Sequence, residues 1–202
     1  MAVLVTGGGT GIGAAVTRRL CTGGDQVAIF GRRAEPLRAV ASQTGAVDVV
    51  CDVSDADQVA ACVASVADRF GRLDGLVLNA GIMVPGGVAQ SLAVEHAHQG
   101  LRANVVCPGW TVTEMADEEM AEFGASRGGL TAGEAYELVT ALVPQRRAAS
   151  ADEVAAVVCW LLSDATSYVN GAVIPVDGGG AAVDVGTVPY DPRVQIRRQD
   201  GA

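Results

Sequence analysis

Short apolar runs alternate with longer amphipathic stretches from the first residues onward. Residues 2–5 are apolar and end at a glycine cluster, and residues 14–21 then have the pattern of a helix. Residues 26–30 predict a second strand, 36–42 a helix with Pro36 in its first turn, and 47–51 a third strand. Ser54 is expected to cap the next helix, with Asp57 three residues on. There Val59, Cys62, Val63, Val66 and Phe70 recur at i, i+3, i+4, i+7 spacing, so one apolar stripe faces a sheet. Residues 75–78 predict a fourth strand, 88–98 a short helix, and 103–107 a strand closed by Pro108-Gly109. Residues 114–143 predict two short helices broken around Gly128-Gly129. Ser150 and Glu153 form a capping box for a helix over 152–162, whose Val154, Val157, Val158 and Leu161 repeat the stripe. Residues 172–176 predict the last strand, and 181–202, with two prolines and mixed charge, a loose arm.

Apolar strands alternating with helices predict a parallel sheet covered on both faces, a doubly wound α/β fold of three αβα layers. Ligands of such sheets bind beyond the carboxyl ends of the strands. The glycine cluster, Asp52, Asn79 and Pro108 all fall at those ends, so distant residues converge on one edge. Residues 1–180 are expected to form one domain.

A net charge of −9 opposes binding to nucleic acid or to an anionic membrane surface. No apolar run approaches the ~18 residues of a transmembrane helix. The N-terminal residues resemble a first strand more than a signal peptide. Five cysteines, with no CxxC pair, suit reduced cytoplasmic thiols that are mostly buried. Cys107, ending an apolar strand, is expected to be a core thiol. His96 and His98, at i and i+2, do not share a helix face, so no metal site is expected. All 14 basic residues are arginine. Any mechanism that needs a lysine is therefore excluded.

The segment Thr6-Gly7-Gly8-Gly9-Thr10-Gly11-Ile12-Gly13 joins a strand to a helix. Glycines there let the backbone approach a pyrophosphate, and the helix N-terminus offers N–H groups and a positive dipole end. Taken alone, such a loop is a moderate signal, since glycine loops also form ordinary tight turns. With it come CDVSD at 51–55, LNAG at 78–81, ANVVCPGW at 103–110, TEM at 113–115 and VNGAVIPVDGG at 169–179. In that order, over residues 1–180, these segments resemble the signatures of the short-chain dehydrogenase/reductase family.

The resemblance implies a Rossmann-like fold, a nicotinamide dinucleotide cofactor and carbonyl–alcohol interconversion. It implies that Gly7, Gly11 and Gly13 shape the phosphate turn, with Thr10 and Ile12 lining it. Asp52 would accept from the adenine amino group and Val53 would pack on that ring. Asn79, Ala80 and Gly81 would line the ribose side. Pro108, Gly109 and Thr111 would border the nicotinamide, and the Thr113 hydroxyl would reach its carboxamide or a phosphate. NAD-preferring members carry an acid at the end of the second strand, where this chain has Gly31 followed by Arg32 and Arg33. Arginine grips a ribose 2′-phosphate through a bidentate fork, so NADP(H) is favoured over NAD(H). The same pair would also serve as solvated loop charges.

The family reduces carbonyls with a tyrosine acid, a lysine four residues later, a serine and an asparagine. Four residues after Tyr136, Tyr168 and Tyr190 stand Thr140, Ala172 and Val194. Only 29 positions separate Asn79 from Pro108, where the family places a helix, a strand with the serine, and the Tyr–Lys helix. The chain therefore resembles a member with a contiguous internal deletion. A sheet of six strands is expected, with 103–107 beside 75–78. The missing helices make much of the family's subunit contact, so the usual homo-oligomer is not expected. Three functions follow: an oxidoreductase, a non-catalytic NADP(H)-binding or partner-binding protein, or a defective remnant.

Overall fold

The computed structural model describes residues 1–80 and 87–191. Strands β1 (Ala2–Thr6), β2 (Gln26–Gly31), β3 (Val47–Val50) and β4 (Gly75–Val77) form a parallel sheet in the order β3-β2-β1-β4. Helices α1 (Gly11–Thr22), α2 (Ala34–Thr44) and α3 (Ala56–Phe70) link them.

Successive strand residues face opposite sides of a sheet, and here they divide two cores. Val3, Val5, Val27 and Ile29 pack with Ala15, Val16 and Leu20 of α1, Leu37 of α2 and Ala155 of α7 (Ala151–Leu162). Leu4, Ala28 and Phe30 pack against the predicted α3 stripe of Val59, Cys62, Val63, Val66 and Phe70. Burying large side chains such as Phe30 and Leu4 contributes about 1.5–3 kcal/mol each. The three-layer α/β architecture is therefore present.

The helix boundaries carry their own chemistry. Asp55, and not Ser54, caps α3: its carboxylate accepts from the N–H groups of Asp57 and Gln58. A carboxylate satisfies these donors and also complements the helix dipole, which a hydroxyl does not. The Ser150–Glu153 capping box at α7 is formed in both directions. α5 (Glu114–Ser126) and α6 (Ala132–Val139) break where the glycine pair predicts.

Among the described residues the expected six-stranded sheet is not formed. β5 (Val105–Pro108) pairs in parallel with β8 (Val173–Val176), apart from β4, and β6 (Thr111–Val112) with β7 (Ala149–Ser150) forms a second small pair. The bonds that hold β5 lie on its far side and at its base. Arg102 donates to the carbonyls of Leu161, Leu162 and Ser163 and to the Thr166 hydroxyl, capping the C-terminal end of α7. Asn104 bonds Val169 and Ala172, and Asn170 bonds Ala103. On the outer edge, Leu76 and Leu78 are 53% and 75% exposed.

Two further expectations change. Cys107 is exposed instead of lying in the core, because it sits on the pair split from the main sheet. Cys51 is buried, and Cys21, Cys62 and Cys159 are half-buried. Burial and the neighbouring Cys62 push the Cys51 thiol up to about 11, so it stays protonated near neutral pH. The expected loose arm contains short 3-10 turns at Gly180–Ala182 and Val185–Tyr190, while residues 192–202 lie outside the described residues. α4 (Gly87–His96) precedes β5, and His98 is exposed beyond it. No described helix is long and apolar enough to cross a membrane.

Candidate functional site

The glycine turn begins where β1 ends. The N–H groups of Gly7 and Gly8 both reach the Phe30 carbonyl, at 2.7 and 3.3 Å, which folds the chain back over β2. Thr10 is the N-cap of α1, in extended conformation. Gly11 follows at φ +53°, a conformation that side-chain-bearing residues rarely adopt. Gly13 is required for a second reason: a Cβ there would collide with the Gly7 carbonyl and come within 2.7 Å of Asn79 Nδ2. The helix thus sits directly on the turn. Ile12, half-buried, packs on the first core.

Thr6 joins this turn to the end of β4. Its hydroxyl accepts from the N–H groups of Asn79 (3.0 Å) and Ala80 (2.9 Å). Asn79 Nδ2 returns a bond to the Thr6 carbonyl at 3.1 Å. Thr6 opens the glycine motif, and the family resemblance assigns it no role. The signal was available, since a buried strand-end hydroxyl needs partners. Gly81 lies outside the described residues.

At the far side of the sheet, Asp52 follows β3. Its Oδ1 accepts from the Ser54 N–H (3.0 Å) and hydroxyl (2.8 Å). These bonds hold the carboxyl below its ordinary range, and the charge of Arg32 adds to the effect. Val53 beside it is 42% exposed. Arg32 and Arg33 are both exposed just past β2, and Arg33 is the N-cap position of α2, making no side-chain capping bond.

The segment after β5 closes the site. Gly109 donates to the Val176 carbonyl at 3.0 Å, and the Thr111 hydroxyl donates to the Gly109 carbonyl at 3.0 Å. Pro108 is exposed at the end of its strand, whereas Thr111 is 6% exposed. Thr113 caps α5, its hydroxyl accepting from the Ala116 N–H at 3.2 Å. Its Cγ2 lies 3.2 Å from the point a Cβ on Gly11 would occupy. The glycine turn and the segment after β5 therefore meet, although more than ninety residues separate them in the chain. Asn79 and Ala80 join the same turn through Thr6.

Tyr168 and Tyr190 are 102% and 86% exposed. Tyr136 donates to Asp117, and burial together with that carboxylate pushes its phenol up to about 12. A cavity of about 330 Å³ lies elsewhere, between Trp110, Thr140, Arg147, Glu153 and Asp177. In its lining, Arg147 pairs with Glu153, and Asp177 accepts from the N–H groups of Gly179 and Ala181.

Residues 1–90 match the family model described as short chain dehydrogenase, and residues 86–181 the model described as enoyl-(acyl carrier protein) reductase. The chain is 32% identical to protein MoaE of Klebsiella aerogenes, in an alignment covering 93% of this chain and 98% of that one. It is 29% identical to levodione reductase of Leifsonia aquatica, covering 89% and 94%. The crystal structure of levodione reductase superposes with a TM-score of 0.84 at 28% identity, covering 91% of this chain and 98% of that one. An actinorhodin polyketide ketoreductase solved with NADPH superposes at 0.80 with 25% identity, covering 88% and 96%. The MoaE alignment runs over 254 positions, whereas 93% of 202 residues is about 188, so about 66 positions face no residue of this chain.

Proposed function

Because the chain belongs to the short-chain dehydrogenase/reductase family of NAD(P)-dependent oxidoreductases, we propose that it binds NADP(H) at this site but reduces carbonyls poorly or not at all. One observation carries the reading. Thr113 Cγ2 lies 3.2 Å from the point a Cβ on Gly11 would occupy, so the two halves of a dinucleotide cradle still come together in a chain that contains no lysine.

The residues present suit the cofactor. Side-chain-free backbone at Gly11 and the N-terminus of α1 suit a pyrophosphate. Asp52, ionised and braced by Ser54, suits the adenine amino group, and the exposed Val53 suits its ring. Asn79 and Ala80, fixed through Thr6, flank the ribose, and the Gly81 role is proposed with them. Pro108, Gly109 and Thr111 border the nicotinamide end, with the Thr113 hydroxyl toward the carboxamide. Arg32, close enough to act on Asp52, and Arg33 beside it face the adenosine 2′-position. The ketoreductase solved with NADPH supports the same choice.

NADPH, when bound, supplies a hydride. The reduced oxygen also needs a proton from a group whose pKa lies near the working pH. A phenol at about 12, already donating to a carboxylate, is a poor donor. The shortfall of about 66 aligned positions supports an internal deletion of the segment that would supply tyrosine and lysine.

The test is a fluorescence titration with NADPH and NADH of the unaltered chain and of Arg32→Ala/Arg33→Ala. Charge-assisted hydrogen bonds contribute about 1.5–3 kcal/mol, so the double variant should lose about tenfold to a hundredfold in NADPH affinity and little for NADH. Equal loss for both nucleotides would refute the 2′-phosphate assignment. Sustained NADPH oxidation with a panel of ketones would refute the catalytic impairment.

A further inference from the structure

Tyr136 lies on α6, away from any position the family's chemistry would give a tyrosine, yet its hydroxyl reaches the candidate site. Its Oη donates to Asp117 Oδ1 at 3.0 Å. Asp117 is one turn along α5 from Thr113, whose carbonyl accepts the Asp117 N–H at 2.8 Å. The phenol is thus tied through Asp117 to the first turn of α5, which begins at Thr113. The methyl of the residue at the start of that turn, Thr113, lies 3.2 Å from the point a Cβ on Gly11 would occupy.

We propose that Tyr136 is a positioning residue for the nicotinamide half of the cofactor, clamping Thr113 against the glycine turn. This rests on the nucleotide-binding reading above. The Thr113 hydroxyl accepts from Ala116, which leaves its proton to donate outward, and the direction of that proton depends on where the turn is held. The hinge between α5 and α6 makes a clamp useful: Gly128 and Gly129 both take positive φ there. The helix pair has other holds. Met120 and Ala135 are buried, and the Gly124 carbonyl accepts from Arg127, Gly129 and Leu130. Removing the phenol oxygen should therefore free the first turn without unfolding the pair.

The experiment compares two ligands on Tyr136→Phe. NADPH spans the whole site, whereas adenosine 2′,5′-bisphosphate occupies only its adenine end. The variant should bind NADPH about fivefold more weakly and adenosine 2′,5′-bisphosphate as the unaltered chain does. Asp117→Ala should reproduce that selectivity, and Asp117→Asn, which keeps an oxygen acceptor, should restore most of the affinity. Equal weakening for both ligands, or none for either, would overturn the positioning role. Failure of the unaltered chain to bind either ligand would overturn the nucleotide-binding reading itself, and this role with it.

Discussion

Replacing Thr6 by valine keeps the shape and β-branching of the side chain and removes only its hydroxyl. That hydroxyl is the acceptor for the N–H groups of Asn79 and Ala80, at 3.0 and 2.9 Å, and it donates to the Val77 carbonyl at 3.4 Å. Thr6 is 7% exposed, so water cannot easily replace it. A buried donor left without a partner costs about 1–3 kcal/mol. Two half-buried donors, one of which gains some water, give a loss of about 2–4 kcal/mol. In a chain of this length each kcal/mol lowers the melting temperature by about 2–4 °C, so Thr6→Val should melt roughly 5–15 °C below the unaltered protein. Thr6→Ser keeps the acceptor and loses one methyl, at a cost of about 1 kcal/mol. Urea unfolding gives both values from the midpoints, provided the slopes agree. If Thr6→Val were as stable as the unaltered chain, or Thr6→Ser fell as far as Thr6→Val, the hydroxyl would not be what joins β4 to the glycine turn.

Gly13→Ala places a methyl against the Gly7 carbonyl and Asn79, and relief requires α1 to shift. Overpacking of this kind costs about 1–3 kcal/mol, and melting curves together with NADPH titration should show stability and affinity falling together. Glu153 gives a pH-dependent prediction. Hydrogen bonds from Arg147, then those from Ser150, lower its carboxyl from 4.5 to about 2. A depressed folded pKa contributes stability that is complete above the unfolded value and lost as pH falls toward the folded one. The stability difference between the unaltered chain and Glu153→Gln should therefore hold above pH 4.5 and shrink toward pH 2 in thermal melts. A difference unchanged across that window would show that the ion pair and cap do not act through this charge.

The parts of the fold written locally were legible in the sequence. The glycine cluster between a strand and a helix, the α3 stripe, the Ser150–Glu153 box and the break near Gly128 are each set by neighbours within a few residues, and each is present. The convergence at the carboxyl ends of the strands followed from a topological rule, and the Gly11–Thr113 contact satisfies it. What depended on distant partners was not legible. Nothing in the pattern of 103–107 distinguishes pairing with β4 from pairing with β8. The observed choice is β8 alone, with the Asn104 and Asn170 bonds tying the two strands and Arg102 reaching the end of α7. The exposure of Cys107 is a consequence of the same choice. The cap of α3 fell one residue late because Ser54 and Asp55 are both good capping residues and only their bonding separates them.

The central claim is that the nucleotide cradle survives in a chain without the family's lysine. Its most direct test is thermal unfolding of the purified chain, titrated with NADPH and separately with NADH. A ligand that binds only the folded state adds about 2.7 kcal/mol at a hundred times its dissociation constant, or roughly 5–10 °C for a chain of this size. The account predicts a saturable rise of that order with NADPH and a smaller one at the same concentration of NADH. A cooperative transition that neither nucleotide moves would contradict it.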